Sequence, residues 1–240
     1  MISRLVAGLA LALISLTLVR AEDAKPETGF VSLFNGKDLT GWTYRGAKDS
    51  LDGKTQTPDG RVAVEDGVIV MREKDKDGKG GIKAIDTAAK YGKGFTLRLE
   101  FKAALKADSG VYVRGPQLQV RDFIRRNEQK QLKKFRNDDW NELEIVVQDG
   151  VTTTTVNGKA LNPADQFEAT FEGGRVKSAT LNGKALDAKA VQVRKGSVAR
   201  CSCNGEAFET MLNIPASGPI GLQAETGKFE FRRLRIKLND

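Results

Sequence analysis

The chain has 240 residues, 29% of them charged, a net charge of +8 at pH 7, 25 glycines, two cysteines and no histidine. The missing histidine excludes Ser-His-Asp and Cys-His catalysis and the usual zinc ligand sets. Any chemistry must use carboxylates, amides, lysine, arginine, tyrosine or hydroxyls.

Residues 1–21 read as a signal peptide. Arg4 supplies the basic start, Leu5 to Val19 an apolar run, and Val19-Arg20-Ala21 a small-residue cleavage site before Glu22. The run is short for a membrane span and nothing later is longer, so no membrane association is expected after cleavage. A secreted or periplasmic location follows as an expectation. Losing Arg4 and Arg20 leaves a net charge of about +6. Residues 22–29 read as a flexible lead-in, and 30–240 as one domain, a length that all-β folds use as a single unit.

From Phe30 to Trp42 a strand runs into a turn at Asn35-Gly36, with Trp42 as a large apolar anchor. Asp66-Gly67 joins two short strands in a type I′ hairpin. Phe95 to Phe101 alternates strictly, with Phe95, Leu97, Leu99 and Phe101 on one face and Thr96, Arg98 and Glu100 on the other. Val111 to Arg114 and Gln117 to Val120 alternate around Gly115-Pro116. The basic segment from Arg121 to Arg136 lacks any nucleic-acid-binding pattern and reads as a solvated loop or short surface helix, with Phe123 to Phe135 the one good helical candidate. No nucleic-acid partner is expected.

Trp140 to Val147 is a strand, ended by Asp149-Gly150, and β-branched Thr152 to Val156 follows. Asn157-Gly158, Asn182-Gly183 and Asn204-Gly205 each sit between apolar flanks, the signature of two-residue hairpins. Cys201 and Cys203, two apart, point to the same side of a strand and read as small buried residues; a bridge between them would be strained. Gly218 to Gln223 and Phe229 to Leu238 close the chain, the latter with a bulge at Arg232-Arg233 where alternation breaks. Many short strands, glycine-rich turns and almost no helix predict an all-β, two-sheet antiparallel jelly-roll sandwich with one short helix or loop excursion.

Several of these strands together resemble one family, the 3-keto-disaccharide hydrolase domain. Phe30 to Trp42 is similar to its opening signature. Asp108 to Arg114 resembles its NSGIYxR strand, Gln117 to Asp122 its YEVQILD strand, and Trp140 to Ile145 its WNEYEI strand. Gly218 to Gln223 and Phe231 to Ile236 resemble its closing GPIGLQ and FRNIRI segments. The resemblance implies a secreted concanavalin- or laminin-G-like sandwich acting on carbohydrate.

Strand parity points to a site. If Val111, Val113, Leu118 and Val120 face the core, then Tyr112, Arg114, Gln117 and Gln119 share the opposite face; Arg98 and Glu100 join them if their strand is a neighbour in the same sheet. Planar amides, carboxylates and guanidinium groups match the vicinal hydroxyls of a sugar. The bland alternative is a merely solvated sheet face. The resemblance implies cleavage of 3-keto-glycosides: a base removes the C2 proton, a donor holds the enolate oxygen, and the C1 substituent leaves. On that reading Glu100 or Glu144 is the base and Arg114, or a divalent metal with oxygen ligands, holds the oxygen. Arg98, Tyr112, Gln117 and Gln119 would bind substrate. Two departures weaken the implication: the family strand carries Glu where this chain has Gln117, and a His commonly follows GLQ where this chain has Ala224 and Glu225. The alternative is a carbohydrate-binding or scaffold sandwich without chemistry. Sugar, linkage and oligomeric state are left open. The processing expectation is checked by mass spectrometry of the exported protein: its mature N-terminus should be Glu22, and a retained Met1 in a membrane fraction would contradict it.

Overall fold

The computed structural model describes residues 27–47, 49–74, 81–162 and 164–239. The expected signal peptide and most of the lead-in lie outside the described residues. Seventeen strands follow in chain order. They begin with β1 (Val31–Ser32), β2 (Trp42–Tyr44), β3 (Val62–Glu65), β4 (Val68–Met71), β5 (Lys83–Thr87) and β6 (Phe95–Ala103). Next come β7 (Asp108–Val113), β8 (Gln117–Arg121), the long β9 (Asn141–Val156), β10 (Lys159–Ala160), β11 (Phe167–Glu172), β12 (Arg175–Leu181) and β13 (Lys184–Leu186). The last are β14 (Val191–Cys203), β15 (Glu206–Ile214), β16 (Ile220–Ala224) and β17 (Phe229–Leu238).

Two antiparallel sheets form the sandwich. The nine-stranded sheet runs β15-β14-β9-β6-β17-β4-β3, with β1 also on β17 and β10 on β9. The five-stranded sheet runs β2-β5-β16-β7-β8. A three-stranded sheet, β11-β12-β13, is inserted between β10 and β14. This is the expected all-β sandwich.

Its core follows from alternation. Phe95, Leu97, Leu99 and Phe101 of β6 point inward from one sheet; Val111, Val113, Leu118, Val120 and Leu222 point inward from the other. Phe101 stacks on Phe229 with ring centroids 5.5 Å apart. Trp42 is fully buried and donates its indole N–H to the Leu33 carbonyl at 2.9 Å, tying the opening turn to the core. Cys201 and Cys203 are free thiols facing this core; burial holds both above the ordinary thiol range, Cys203 at about 12.

The turn chemistry is as written in the sequence. Asp66, Asn157, Asn182 and Asn204 all have φ between 48° and 52°, each followed by a glycine between 75° and 79°, the geometry of a type I′ turn. The bulge at Arg232-Arg233 is present: the register on β6 shifts between Arg232 and Arg235, and Arg233 has φ 53°.

Two expectations need correction. Asp149-Gly150 does not end its strand. Both residues oppose the single Ser197 of β14, so they form a bulge with Gly150 at φ 68°, and β9 continues to Val156. The Phe123 to Phe135 segment is not helical; it is a run of turns. Tertiary packing outweighs helix propensity there. Phe123 and Leu132 are buried, and Phe123 and Phe135 pack edge to face at 5.8 Å beside Phe101. Arg125 is held by Asp122 at 2.6 Å and by Asp138 at 2.6 Å.

Two measurements check this core. Phe229→Ala should cost about 3–5 kcal/mol in urea unfolding. Native Cys201 and Cys203 should resist a thiol reagent that labels both after unfolding, and rapid labelling of folded protein would contradict their burial.

Candidate functional site

The outward face of the five-stranded sheet is the strongest candidate. Registers across β5, β16, β7 and β8 set its residues in rows. One row is Asp86, Gly221, Tyr112, Gln117; the next is Ala84, Gln223, Gly110, Gln119. Beyond them, by parity, Glu225 follows β16 near Asp108, whose strand neighbour is Arg121.

Two glycines in the middle of the face let neighbouring side chains lie directly against the backbone. A Cβ on Gly110 would collide with the Gln117 side chain, and one on Gly221 with the Asp86 carboxylate. Gln117 therefore folds over Gly110 and donates its amide to Gln223 Oε1 at 2.5 Å. Gln223, almost wholly buried, donates to Tyr112 Oη at 3.1 Å. The tyrosine oxygen accepts that bond, which leaves its own O–H free to donate. Arg45 grips Asp86 through two bonds, 2.9 Å and 2.5 Å, and lies over the Tyr112 ring, 3.5 Å from its centroid. This fixes the ring's orientation by a cation–π contact.

The far end of the face is charged. Arg121 bonds Asp108 at 2.7 Å and Glu128 at 3.1 Å; Arg126 reaches Asp108 at 3.2 Å and Glu128 at 3.1 Å. Burial, with the Asp108 carboxylate as the next contribution, holds the Glu225 carboxyl above the usual carboxylate range. Of the basic segment, Arg121, Arg125 and Arg126 are held in ion pairs.

The expected site residues are divided. Tyr112, Gln117 and Gln119 share this face. Arg98, Glu100 and Glu144 do not, which corrects the expectation of a common surface. Their strands, β6 and β9, belong to the nine-stranded sheet, so they project from the opposite side of the sandwich. Arg98 pairs with Glu144 at 2.7 Å and with Glu27; Glu100 accepts from Arg232 at 2.7 Å and Arg233 at 2.6 Å. Arg114 leaves the face too. With φ 54° it turns at the end of β7, and its side chain is fully buried. It bonds Asp149 at 2.8 Å, the Lys93 carbonyl at 2.5 Å and the Pro215 carbonyl at 3.2 Å, over the Phe95 ring. Parity alone missed this because Arg114 is the first residue after the strand, where alternation stops.

Sequence reasoning also passed over Arg45, Asp86 and Gln223. The parity of Gly221 and Gln223 was available in the Gly218 to Gln223 segment. Arg45 and Asp86 carried no signal, since their neighbours are set by long-range pairing. Among the described residues no group of three or more His, Cys, Asp or Glu side chains is arranged to hold a metal ion. Among the described residues no helix is long and apolar enough to cross a membrane.

Comparison with known proteins bears on this face. Residues 29–237 match the 3-keto-alpha-glucoside-1,2-lyase-like domain. The chain belongs to that family, a class of carbohydrate-related β-sandwich domains. No curated protein matches it. Similar solved structures include a protein of Parabacteroides distasonis ATCC 8503, provisionally described as a glycosyl hydrolase, at 18% identity, TM-score 0.47, covering 88% of this chain and 94% of that one. Carbohydrate-binding module CBM66 of Bacillus subtilis is 12% identical, TM-score 0.33, covering 83% of this chain and 96% of its own. The beta-porphyranase BpGH16B of Bacteroides plebeius is 12% identical, TM-score 0.36, covering 88% and 93%.

The burial of Arg114 generates a test. Arg114→Ala takes the donor from three oxygens, Asp149 Oδ1 and the Lys93 and Pro215 carbonyls, and should cost about 3 kcal/mol. Asp149 is held below the usual carboxylate range, first by the Arg114 hydrogen bond. Its stabilising effect is therefore present above the unfolded-state value and lost as pH falls through the depressed native one. Acid unfolding of the parent should show this dependence, and Arg114→Ala should flatten it.

Proposed function

We propose that this protein binds a 3-keto-glycoside on the outward face of the five-stranded sheet and eliminates the C1 substituent. The observation that carries this reading is the strip Gln117–Gln223–Tyr112, with a spare tyrosine proton, on the face that Glu225, a carboxyl of raised proton affinity two positions along from Gln223, shares by parity. Glu225 takes the proton from C2, which the neighbouring keto group acidifies. The electron pair moves into the C2–C3 bond and charge gathers on the C3 oxygen. Tyr112 O–H and the Arg45 guanidinium stabilise that oxygen as its charge develops. The enolate then collapses, the C1–O bond breaks, and the proton held by Glu225 passes to the leaving oxygen. Water adds across the resulting enone to give the hydrolysed sugar. A carboxyl whose affinity for a proton is raised suits both halves of this exchange.

Gln117 and Gln119 supply amides for hydroxyl groups. The signal peptide expected from the sequence of residues 1–21 would place this action outside the cytoplasm.

A second reading, sugar binding without turnover, is favoured by one observation. Gln117 stands where the family motif has Glu, and its amide is already engaged with Gln223.

The test is incubation of the mature chain with a 3-keto-glucoside carrying a chromogenic C1 group. Release of that group is expected. Glu225→Gln should lower kcat by about a hundredfold or more and leave the melting temperature nearly unchanged, as should Tyr112→Phe to a lesser degree. Glu225→Gln with full activity would remove Glu225 as base. Saturable binding with no release in the parent would establish the second reading instead.

A further inference from the structure

The outer face of the nine-stranded sheet carries a cleft that this reaction does not use. Trp140, Glu142, Arg136, Asp139, Asn204 and Arg232 line it, and its volume is about 330 Å³. That lies within the range of small-ligand sites.

Three local devices build it. The bulge at Arg232-Arg233 sets two guanidinium groups on Glu100, and Arg233 adopts φ 53°, a conformation costly for a residue with a side chain. Arg232 then lies over the Trp140 ring, 3.9 Å from its centroid, and Lys102 stands 5.1 Å away. Asn204, at φ 49° in its hairpin, accepts from the Glu142 amide at 2.9 Å and donates to Asn141 at 2.9 Å. The backbone of Trp140 is fixed as well: its amide donates to Asp139 at 2.7 Å and its carbonyl accepts from Arg136 at 3.3 Å. The indole, with Arg232 over it, is half-buried and belongs to no part of the core.

The charges define the ligand. Glu100 is met by two arginines and Glu142 by Arg235 at 3.0 Å, so the cleft presents no strong net charge of either sign. A polyanion or a strong cation gains little there. A pyranose fits: its vicinal hydroxyls match planar carboxylate, guanidinium and amide groups, and its apolar C–H face packs on the part of the half-buried indole that Arg232 leaves uncovered. We propose that this cleft is a second, non-catalytic site that holds a neutral hexose unit of a polysaccharide, on the opposite side of the sandwich from Tyr112 and Gln223. It stands whether or not the five-stranded sheet turns over a keto-sugar.

The chain has two tryptophans, and Trp42 is wholly buried, so a ligand-dependent change in emission reports on Trp140. The full mature chain is titrated with cellohexaose and with maltohexaose. A saturable change with at least one is expected. Trp140→Ala should abolish it and weaken calorimetric affinity at least tenfold, and Glu142→Gln should weaken it severalfold. Tyr112→Phe, across the sandwich, should leave the emission response intact. The proposal is overturned if neither oligosaccharide gives a saturable change, if Trp140→Ala keeps affinity within twofold of the parent, or if Tyr112→Phe removes the response. Should Trp140→Ala fail to fold, Glu142→Gln decides, and unchanged affinity overturns the proposal.

Discussion

The burial of two alternating apolar faces against each other sets everything else in this molecule. Phe95, Leu97, Leu99 and Phe101 cannot face inward without turning Thr96, Arg98 and Glu100 outward; Val111 and Val113 impose the same on Gly110 and Tyr112. A one-residue slip in any central strand would exchange the two sets, exposing apolar surface and burying charge. The penalty is on the order of 2 kcal/mol for each large side chain misplaced. The register is therefore stiff, and the polar faces inherit that stiffness. The rows of amides and glycines across β5, β16, β7 and β8 are placed by the core and then tied to one another by the Gln117–Gln223–Tyr112 hydrogen bonds.

A sandwich has two outward faces, and this explains how far the sequence could be read. Alternation, Asn-Gly turns and the Arg232-Arg233 bulge are local, and each gave the right strand, turn or irregularity. Tyr112, Gln117 and Gln119 could be grouped because a short turn joins their strands. Arg98 and Glu100 looked equivalent to them by parity, but the chain changes sheets between Ala103 and Asp108, and no local pattern records which sheet a strand joins. The same limit hid Arg45 and Asp86, whose partners lie far along the chain. The Phe123 to Phe135 segment failed for a related reason. Its aromatic spacing suited a helix, whereas Phe101 and Phe208 required those rings at the sandwich end.

Bulges do much of the electrostatic arrangement. At Asp149-Gly150 the extra residue aims a carboxylate at both Ser197 and Arg114, at 2.6 Å and 2.8 Å. This fastens the end of β7 to the edge of the other sheet, so an arginine in the motif most like the family's is structural in this geometry. At Arg232-Arg233 the extra residue brings both guanidinium groups to Glu100. In each case an interrupted ladder is offset by charged hydrogen bonds, which are stronger than neutral ones.

The two outward faces differ in how their polar groups are committed. On the nine-stranded sheet, Arg98 and Arg235 are paired with Glu27, Glu142 and Glu144, and Glu100 with Arg232 and Arg233. A base drawn from that network would have to break an ion pair before it could accept a proton. On the five-stranded sheet the central groups are amides and a phenol, bonded to each other through one donor or acceptor each, with capacity left over. Glu225 is not clamped in a bidentate pair; burial, and after it the like charge of Asp108, raises its proton affinity. Proton transfer needs a group near its titration point, and binding needs groups with spare hydrogen bonds. Both conditions favour the face with fewer ion pairs.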